Sequence, residues 1–287
     1  MMYELKKKLV VGGRARHRAA ARLAAGVFTV VAAAAVSLVG VSPAFANTHP
    51  RTHVMKINNG VSALRRSNLI NHGGPVQTAP VVYIDFWGWG SDPTGEQSYL
   101  TNFLGSVGGS SWLSSVNQYG ASNNSRLGGT WSDSAGVPAA PSDGQIQAEA
   151  ANAAAHFGTG GSVNVEIVVA TPTGHSTPGF GTQWCAYHGA VASNPNITYT
   201  DLPYMSDAGA SCGSGSVTGS ALDGVSIVEG HELAETITDP LLNAWYDAGG
   251  QENGDLCAWT GLHTISTSGG TFAVQPLWSN AVNGCAG

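Results

Sequence analysis

Beyond its first segment, this sequence has very little positive charge. Seven of the twelve Lys and Arg residues, but only Glu4 of the eighteen acidic ones, precede Asn47. The remaining 241 residues therefore carry five basic side chains against seventeen acidic ones, a formal charge of −12. Such a surface suits neither nucleic acid nor an anionic membrane, and it tolerates cations. After Ala46 there is no apolar run long enough to span a bilayer. Cysteine is also scarce. The four, Cys185, Cys212, Cys257 and Cys285, all fall in the second half, and no Cys-x-x-Cys pair argues for thiolate zinc. An even count in an oxidising compartment reads as two disulfides. Three pairings are open, and Cys185 with Cys212 and Cys257 with Cys285 are favoured as nearest in order. Internal repeats are absent.

What is present begins with a leader. Lys6, Lys7, Lys8, Arg14, Arg16, Arg18 and Arg22 precede an apolar run over residues 23–41, a break at Pro43, and Ala44-Phe45-Ala46. That order reads as a secretory signal peptide over residues 1–46, cut after Ala46, with an uncleaved anchor as the alternative because the run is long enough to cross a bilayer. The expectation is a secreted, extracellular protein with no membrane segment once the leader is gone. Residues 47–71 are polar, hold four of the five remaining basic residues and lack an apolar period, so they read as a loosely held arm. Residues 72–287 are expected to form one domain and a monomer.

Within that domain, residues 81–87 form a β-branched and aromatic run short enough for a buried strand. Short helices are expected over 96–107 and 111–118, and a longer alanine-rich one over 142–157. "VNVEIVVA" is a second strand, "NITYTDLPYM" can hold another, and 272–278 resembles a last one. Residues 171–220, rich in Gly, Ser, Thr and Pro, read as disulfide-stapled loops. Residues 222–238 return to helical spacing through Val225, Val228, Leu233, Ala234 and Ile237, and Pro240 stops that helix. Helices alternating with strands imply a layered α/β or α+β domain around a mixed sheet.

The chemistry concentrates in "EGHELAETITDP", residues 229–240. On a helix, His231 and Glu235 share a face, while Glu232 lies about 100° around the axis. This is the zinc-peptidase arrangement His-Glu-x-x-His with glutamate in place of the second histidine, a zincin-like helix. Zinc accepts a carboxylate oxygen, though the added negative charge lowers its Lewis acidity. A hydrolytic site needs a third ligand, and "NAWYDAGGQENGDLC" offers Glu252 or Asp255, returned toward the helix by the turn at 248–250. Glu232 would then be the general base. A peptide or protein substrate follows from that reading. Calcium is the alternative ion, favoured by oxygen-only ligation, in a non-catalytic binding or signalling protein.

Other readings carry less. An exposed helix face commonly bears such a His/Glu pair with no function. Glu232, Glu235 and Asp239 could form a glycosidase carboxylate pair, but those groups usually come from separate elements. "GASCG" places Ser211 in a loop rather than a strand-to-helix elbow. Cys185 in "QWCAYHG" is expected to be oxidised and His188 to be a hydrogen-bonded loop residue. His72 and His175 read as turn residues. Trp184, Trp245, Trp259 and Trp278 are core, or else a platform for a wall polysaccharide. Asn123 and Asn196 head sequons that matter only in a glycosylating host.

Taken together, "NHGGPVQTAPVVYIDFWGWG", "GHELAETITDPLLNAWYD", "QENGDLCAW" and "FAVQPLWSNAVNGCAG" resemble, in the same order, blocks of the Exordium or phosphate-induced protein family. These are secreted plant proteins with bacterial relatives. The resemblance covers residues 72–287. It implies extracellular residence and, for plant members, association with the cell wall, but no reaction. The Gly/Tyr-rich stretch that follows the Asp-x-Cys segment in plant members is reduced here to "TGLHTISTSGG", so the plant-type wall partner does not carry over.

Overall fold

The computed structural model describes residues 52–59 and 67–287. The expected signal peptide lies outside the described residues. In chain order the strands are β1 (Thr52–Lys56), β2 (Ile70–Asn71), β3 (Val81–Trp87), β4 (Arg126–Asp133), β5 (Val165–Ala170), β6 (Trp184–Ala190), β7 (Thr198–Leu202), β8 (Trp245–Tyr246), β9 (His263–Thr267), β10 (Gly270–Val274), β11 (Leu277–Ser279) and β12 (Gly284–Ala286). The α-helices are α1 (Glu96–Leu104), α2 (Asp143–His156) and α3 (Asp223–Thr238). Short 3-10 segments lie at Leu113–Tyr119, Met205–Cys212 and Asp255–Cys257.

Six strands form one mixed sheet in the order β1-β6-β7-β5-β3-β4. β4, β3, β5 and β7 run parallel, β6 is antiparallel to β7, and β1 is antiparallel to β6. The parallel strands β5 and β7 are almost wholly buried, as strands covered on both faces must be. Alternation along β3 divides the core in two. Val82, Ile84 and Phe86 join α1 and α3 on one side, while Tyr83 and Trp87 join Ile146, Ala150 and Ala153 of α2 on the other. α2 opens where the Ser142 N–H donates to Gln145 Oε1 at 2.9 Å, half of a capping box.

α3 is buried along its whole length, Asp223 to Thr238. Its apolar residues Val225, Ile227, Val228, Leu233 and Ile237 each stabilise the packed state by about 1.5–3 kcal/mol. That stabilisation offsets the penalty of burying the polar residues on the same helix. Gly230 lets the helix close on α1 and the 3-10 region, since a Cβ there would meet Trp112 at 3.0 Å and Phe103 at 3.2 Å. The helix ends as Pro240 requires. Asp239 leaves helical geometry, and its Oδ1 accepts the Asn243 and Ala244 N–H groups at 2.6 and 2.7 Å.

The disulfides are Cys185–Cys212 and Cys257–Cys285, the nearest-in-order pairing. They fit an extracellular or otherwise oxidising compartment. Among the described residues no helix is long and apolar enough to cross a membrane.

Three expectations change. Part of the supposed loose arm is strand: Thr52–Lys56 pairs with β6, and Ile70–Asn71 pairs with Trp245–Tyr246. The supposed loop region 171–220 contains β6 of the main sheet, whereas β7 is the strand allowed for in "NITYTDLPYM". The last strand expected over 272–278 is two, β10 and β11, because Pro276 interrupts the run. β4 escaped notice because its "RLGGTWSD" alternates at the sheet edge with two glycines and little apolar content.

Candidate metal centre between the α3 helix and strand β6

α3 packs against the sheet face that carries His188 of β6, and the helix turns toward it with His231, Glu232 and Glu235. All four side chains are 0 % exposed. The solvated-face reading of the motif is therefore excluded. As the helical spacing requires, His231 Nε2 stands 3.1 Å from Glu235 Oε1. The contact is out of line for a hydrogen bond, and Nε2 has no hydrogen-bond partner. Glu235 Oε1 instead accepts the Asp255 N–H at 3.0 Å.

Beyond Pro240 the chain folds back. Asp247 organises the return, its Oδ1 accepting the Gly249 and Gln251 N–H groups at 2.7 and 2.9 Å. Asn253 then pins the segment to the helix, its Nδ2 donating to the Ala234 carbonyl and to Thr238 Oγ1 at 3.0 and 2.9 Å. Both expected carboxylates arrive. Asp255 Oδ1 lies 3.7 Å from His231 Nε2, and Glu252 Oε2 lies 3.6 Å from His188 Nε2. The Cys257–Cys285 bond anchors the far end of the segment.

Two histidines join that the sequence did not place there. His188, taken for a loop residue, sits on β6 with Nδ1 2.9 Å from Glu232 Oε2 and 3.6 Å from Glu235 Oε2. His53, assigned to the arm, comes from β1. Its Nε2 meets Asp255 Oδ2 in a short contact, and its Nδ1 lies 3.5 Å from Glu252 Oε1. The signal for His188 was available: in "WCAYHGA" an aromatic and small-residue run separates two loops at strand length. For His53 no comparable signal exists in "THVMK".

Three triads hold potential ligand atoms within 4.8 Å of one another: His53, Glu235 and Asp255; His188, Glu235 and Glu252; His231, Glu232 and Glu235. Glu235 belongs to each. No Lys or Arg is among the buried residues described, so only the imidazoles can offset these acids from within. The protonation states follow. Burial pushes Glu232 up to about 7 despite the neighbouring imidazoles, and burial with the surrounding carboxylates raises Glu252 well above its ordinary value. Burial lowers His188 to about 4, so its ring is neutral near pH 7. Burial opposes a charge on His231 and His53 as well, but the carboxylates of Glu235 and Asp255 respectively outweigh it, giving about 9 and about 10. Burial likewise works against an ionised Asp255, but His53 more than compensates and holds it down to about 2.

The other candidates fall away from this centre. His72 stacks on Tyr246 with ring centroids 3.6 Å apart, and His175 Nδ1 contacts the Thr173 carbonyl at 3.1 Å. Ser211, expected in a loop, lies in the 3-10 segment Met205–Cys212, where its Oγ donates to the Gly181 and Ala208 carbonyls at 2.8 Å each. Cys185 is oxidised. Asp239 Oδ1 accepts the Asn243 and Ala244 N–H groups of the turn after α3, and Glu232, Glu235 and Asp239 all lie on or at the end of this one helix rather than on separate elements. Trp278 is core, and Trp259 donates to the Lys56 carbonyl at 2.7 Å, so the four tryptophans make no common platform. A comparison of the chain with protein-family models, with curated proteins and with solved structures finds no match in any of the three.

Proposed function

We propose that this protein is a secreted zincin-like metallohydrolase that acts on peptide bonds, with an Exordium-type chain as its scaffold. The observation that carries the reading is His231 Nε2, a buried ring nitrogen without a hydrogen-bond partner, with carboxylate oxygens of both Glu235 and Asp255 within 3.7 Å of it. Two ligands bound at 2.0–2.1 Å to a tetrahedral ion stand about 3.3 Å apart. His231 Nε2 lies 3.1 Å from Glu235 Oε1 and 3.7 Å from Asp255 Oδ1, on either side of that value. His231, Glu235 and Asp255 would hold the ion. Glu252, turned instead toward His188 and His53, would lie in its surroundings. Imidazole nitrogen beside carboxylate oxygen favours zinc over calcium, which prefers oxygen alone.

Zinc held there would polarise a substrate carbonyl and acidify a water. The chain's own residues do the rest. Glu232 takes the water proton as the oxygen adds to the carbonyl carbon, then returns it to the leaving nitrogen as the C–N bond breaks. The neutral His188 donates from Nδ1 to Glu232 and fixes the direction of its carboxylate. Binding through His231 Nε2 leaves the ring proton on Nδ1, which turns the Gln275 amide oxygen toward it. The present contacts place the Gln275 amide nitrogen 3.2 Å from Nδ1 and 2.7 Å from the Gly254 carbonyl. That half-turn of the amide gives up the bond to Gly254.

Elemental analysis of the untagged secreted protein, paired with Glu232→Gln, tests the reading. Zinc near one per chain, retained in a variant whose turnover falls by about 10²–10⁴-fold, is the expected pair of results. A fully active variant removes Glu232 as base. A protein carrying calcium, or no metal, leaves the non-catalytic binding role.

A further inference from the structure

β6 would be the edge of the sheet beside the metal centre if β1 were absent, because its only other neighbour is β7. An unpaired strand edge offers a row of N–H and C=O groups to any extended chain. Here the chain's own Thr52–Lys56 fills it, with His53 opposite His188 and Met55 opposite Ala186.

The way β1 is held resembles recognition of an extended peptide. Met55 is its single fully buried side chain, seated in the core beside Ala186, while Lys56 is exposed and the rest are half-buried. Apart from the His53 side chain, which meets Asp255 and Glu252, the other fastenings reach the main chain. Trp259 Nε1 donates to the Lys56 carbonyl at 2.7 Å, and the Asn58 N–H donates to the Ser211 carbonyl at 2.8 Å. The Ile57 N–H reaches the Gln183 carbonyl at 3.4 Å. The ladder register slips between Met55 and Lys56, and the Met55 main-chain N–H faces the Glu232 carboxylate. Backbone hydrogen bonds with one anchor pocket constitute strand addition, in which affinity comes from the main chain and selectivity from the pocket. A peptide backbone thus already passes the group assigned as general base. His53 meanwhile occupies Asp255, assigned as a ligand of the ion, and Glu252 in its surroundings.

We propose that the edge of β6 is a groove for an extended peptide with an apolar anchor residue, and that β1 is its intrachain occupant, with His53 plugging the metal centre. The groove itself needs no zinc. Only the identification of the peptide as substrate rests on the hydrolase reading. Displacing β1 would free the edge, the Met55 pocket and the two carboxylates together. An incoming peptide would pair antiparallel to β6 and carry a carbonyl past Glu232.

The test uses the full-length secreted protein, a fluorescently labelled peptide of sequence THVMKIN, and the variants Met55→Asp and His53→Ala. Met55→Asp unseats the anchor, so the peptide should bind it at least about tenfold more tightly than wild type, whose groove is already filled. Hydrogen exchange at residues 185–189 should be slow in wild type, fast in Met55→Asp, and slow again once peptide is added. His53→Ala leaves the Met55 anchor in place and should give a smaller gain in peptide binding with zinc retained, a result that does not depend on Met55→Asp folding. Equal peptide binding by all three proteins, with unchanged exchange along β6, overturns the proposal. Loss of zinc in His53→Ala also overturns it, since His53 would then be a ligand rather than a plug. Zinc measured on the same samples separates the two readings. Tight peptide binding without metal keeps the groove and discards the hydrolase, whereas metal without peptide binding does the reverse.

Discussion

His188 Nδ1 lies 2.9 Å from Glu232 Oε2, and both side chains are completely buried between β6 and α3. The bond joins a strand residue to a helix residue 44 positions away. If it serves to aim the carboxylate, His188→Asn should lower kcat by about 10²-fold, with zinc content unchanged and KM little altered. A variant that loses zinc instead would make His188 a ligand.

Metal binding should weaken in acid. A proton competes with the ion for His231 Nε2, and protonation of the ligand carboxylates adds to the effect. Zinc affinity is expected to fall steadily as pH drops from 7 to 5, with activity following it. Removal of the ion with a chelator should abolish hydrolysis, and readdition of zinc should restore it. Activity that persists in the metal-free protein would end the metallohydrolase proposal.

Gly254 stands against the His231 ring. A Cβ there would lie 2.7 Å from Nδ1 and 2.8 Å from Cγ, too close for either to stay in place. Gly254→Ala should therefore weaken zinc binding by about 10–100-fold, the range seen when the surroundings of a ligand are disturbed. No donor atom is removed by this change. Affinity equal to wild type, measured by competition with a chromophoric chelator, would show that the ring has room to move.

Far from the centre, Asp85 on β3 is buried on the α2 side of the sheet, with the carboxyls of Glu149 and Asp133 beside it. Burial first, then Glu149 and Asp133, raise it well above the ordinary carboxylate range. The folded protein thus holds a proton that the unfolded chain releases near pH 4. Stability from this group is complete below that pH and is lost as pH rises toward the folded value. Asp85→Asn should match wild type at pH 4 and exceed it at pH 8 by about 1–2 kcal/mol, or roughly 3–6 °C in Tm. A Tm difference independent of pH would remove the titration as the cause.

Much of this arrangement was legible in the chain itself. The His231/Glu235 pair followed from helical spacing alone, because four residues nearly complete a turn. The end of α3 followed from Pro240, since a ring without an N–H cannot continue the ladder. The buried parallel strands β3 and β5 were visible as short β-branched runs, and both disulfides followed the order of the cysteines. Glu252 and Asp255 could be named as alternatives but not separated. Their distances depend on where Asp247 and Asn253 direct the return after the helix.

Local rules of period, capping and ring closure act over a few residues, and the sequence by itself determined what depends on them: the α3 helix, its stop, the main buried strands and the acidic character of the centre. Only the tertiary structure decided that α3 is buried on every side, that His188 faces Glu232, and that His53 arrives on an edge strand 135 positions earlier in the chain. Those are pairings across the sheet and between layers. Their partners are chosen by strand order and by which faces exclude water, and neither is written in the spacing of neighbouring residues.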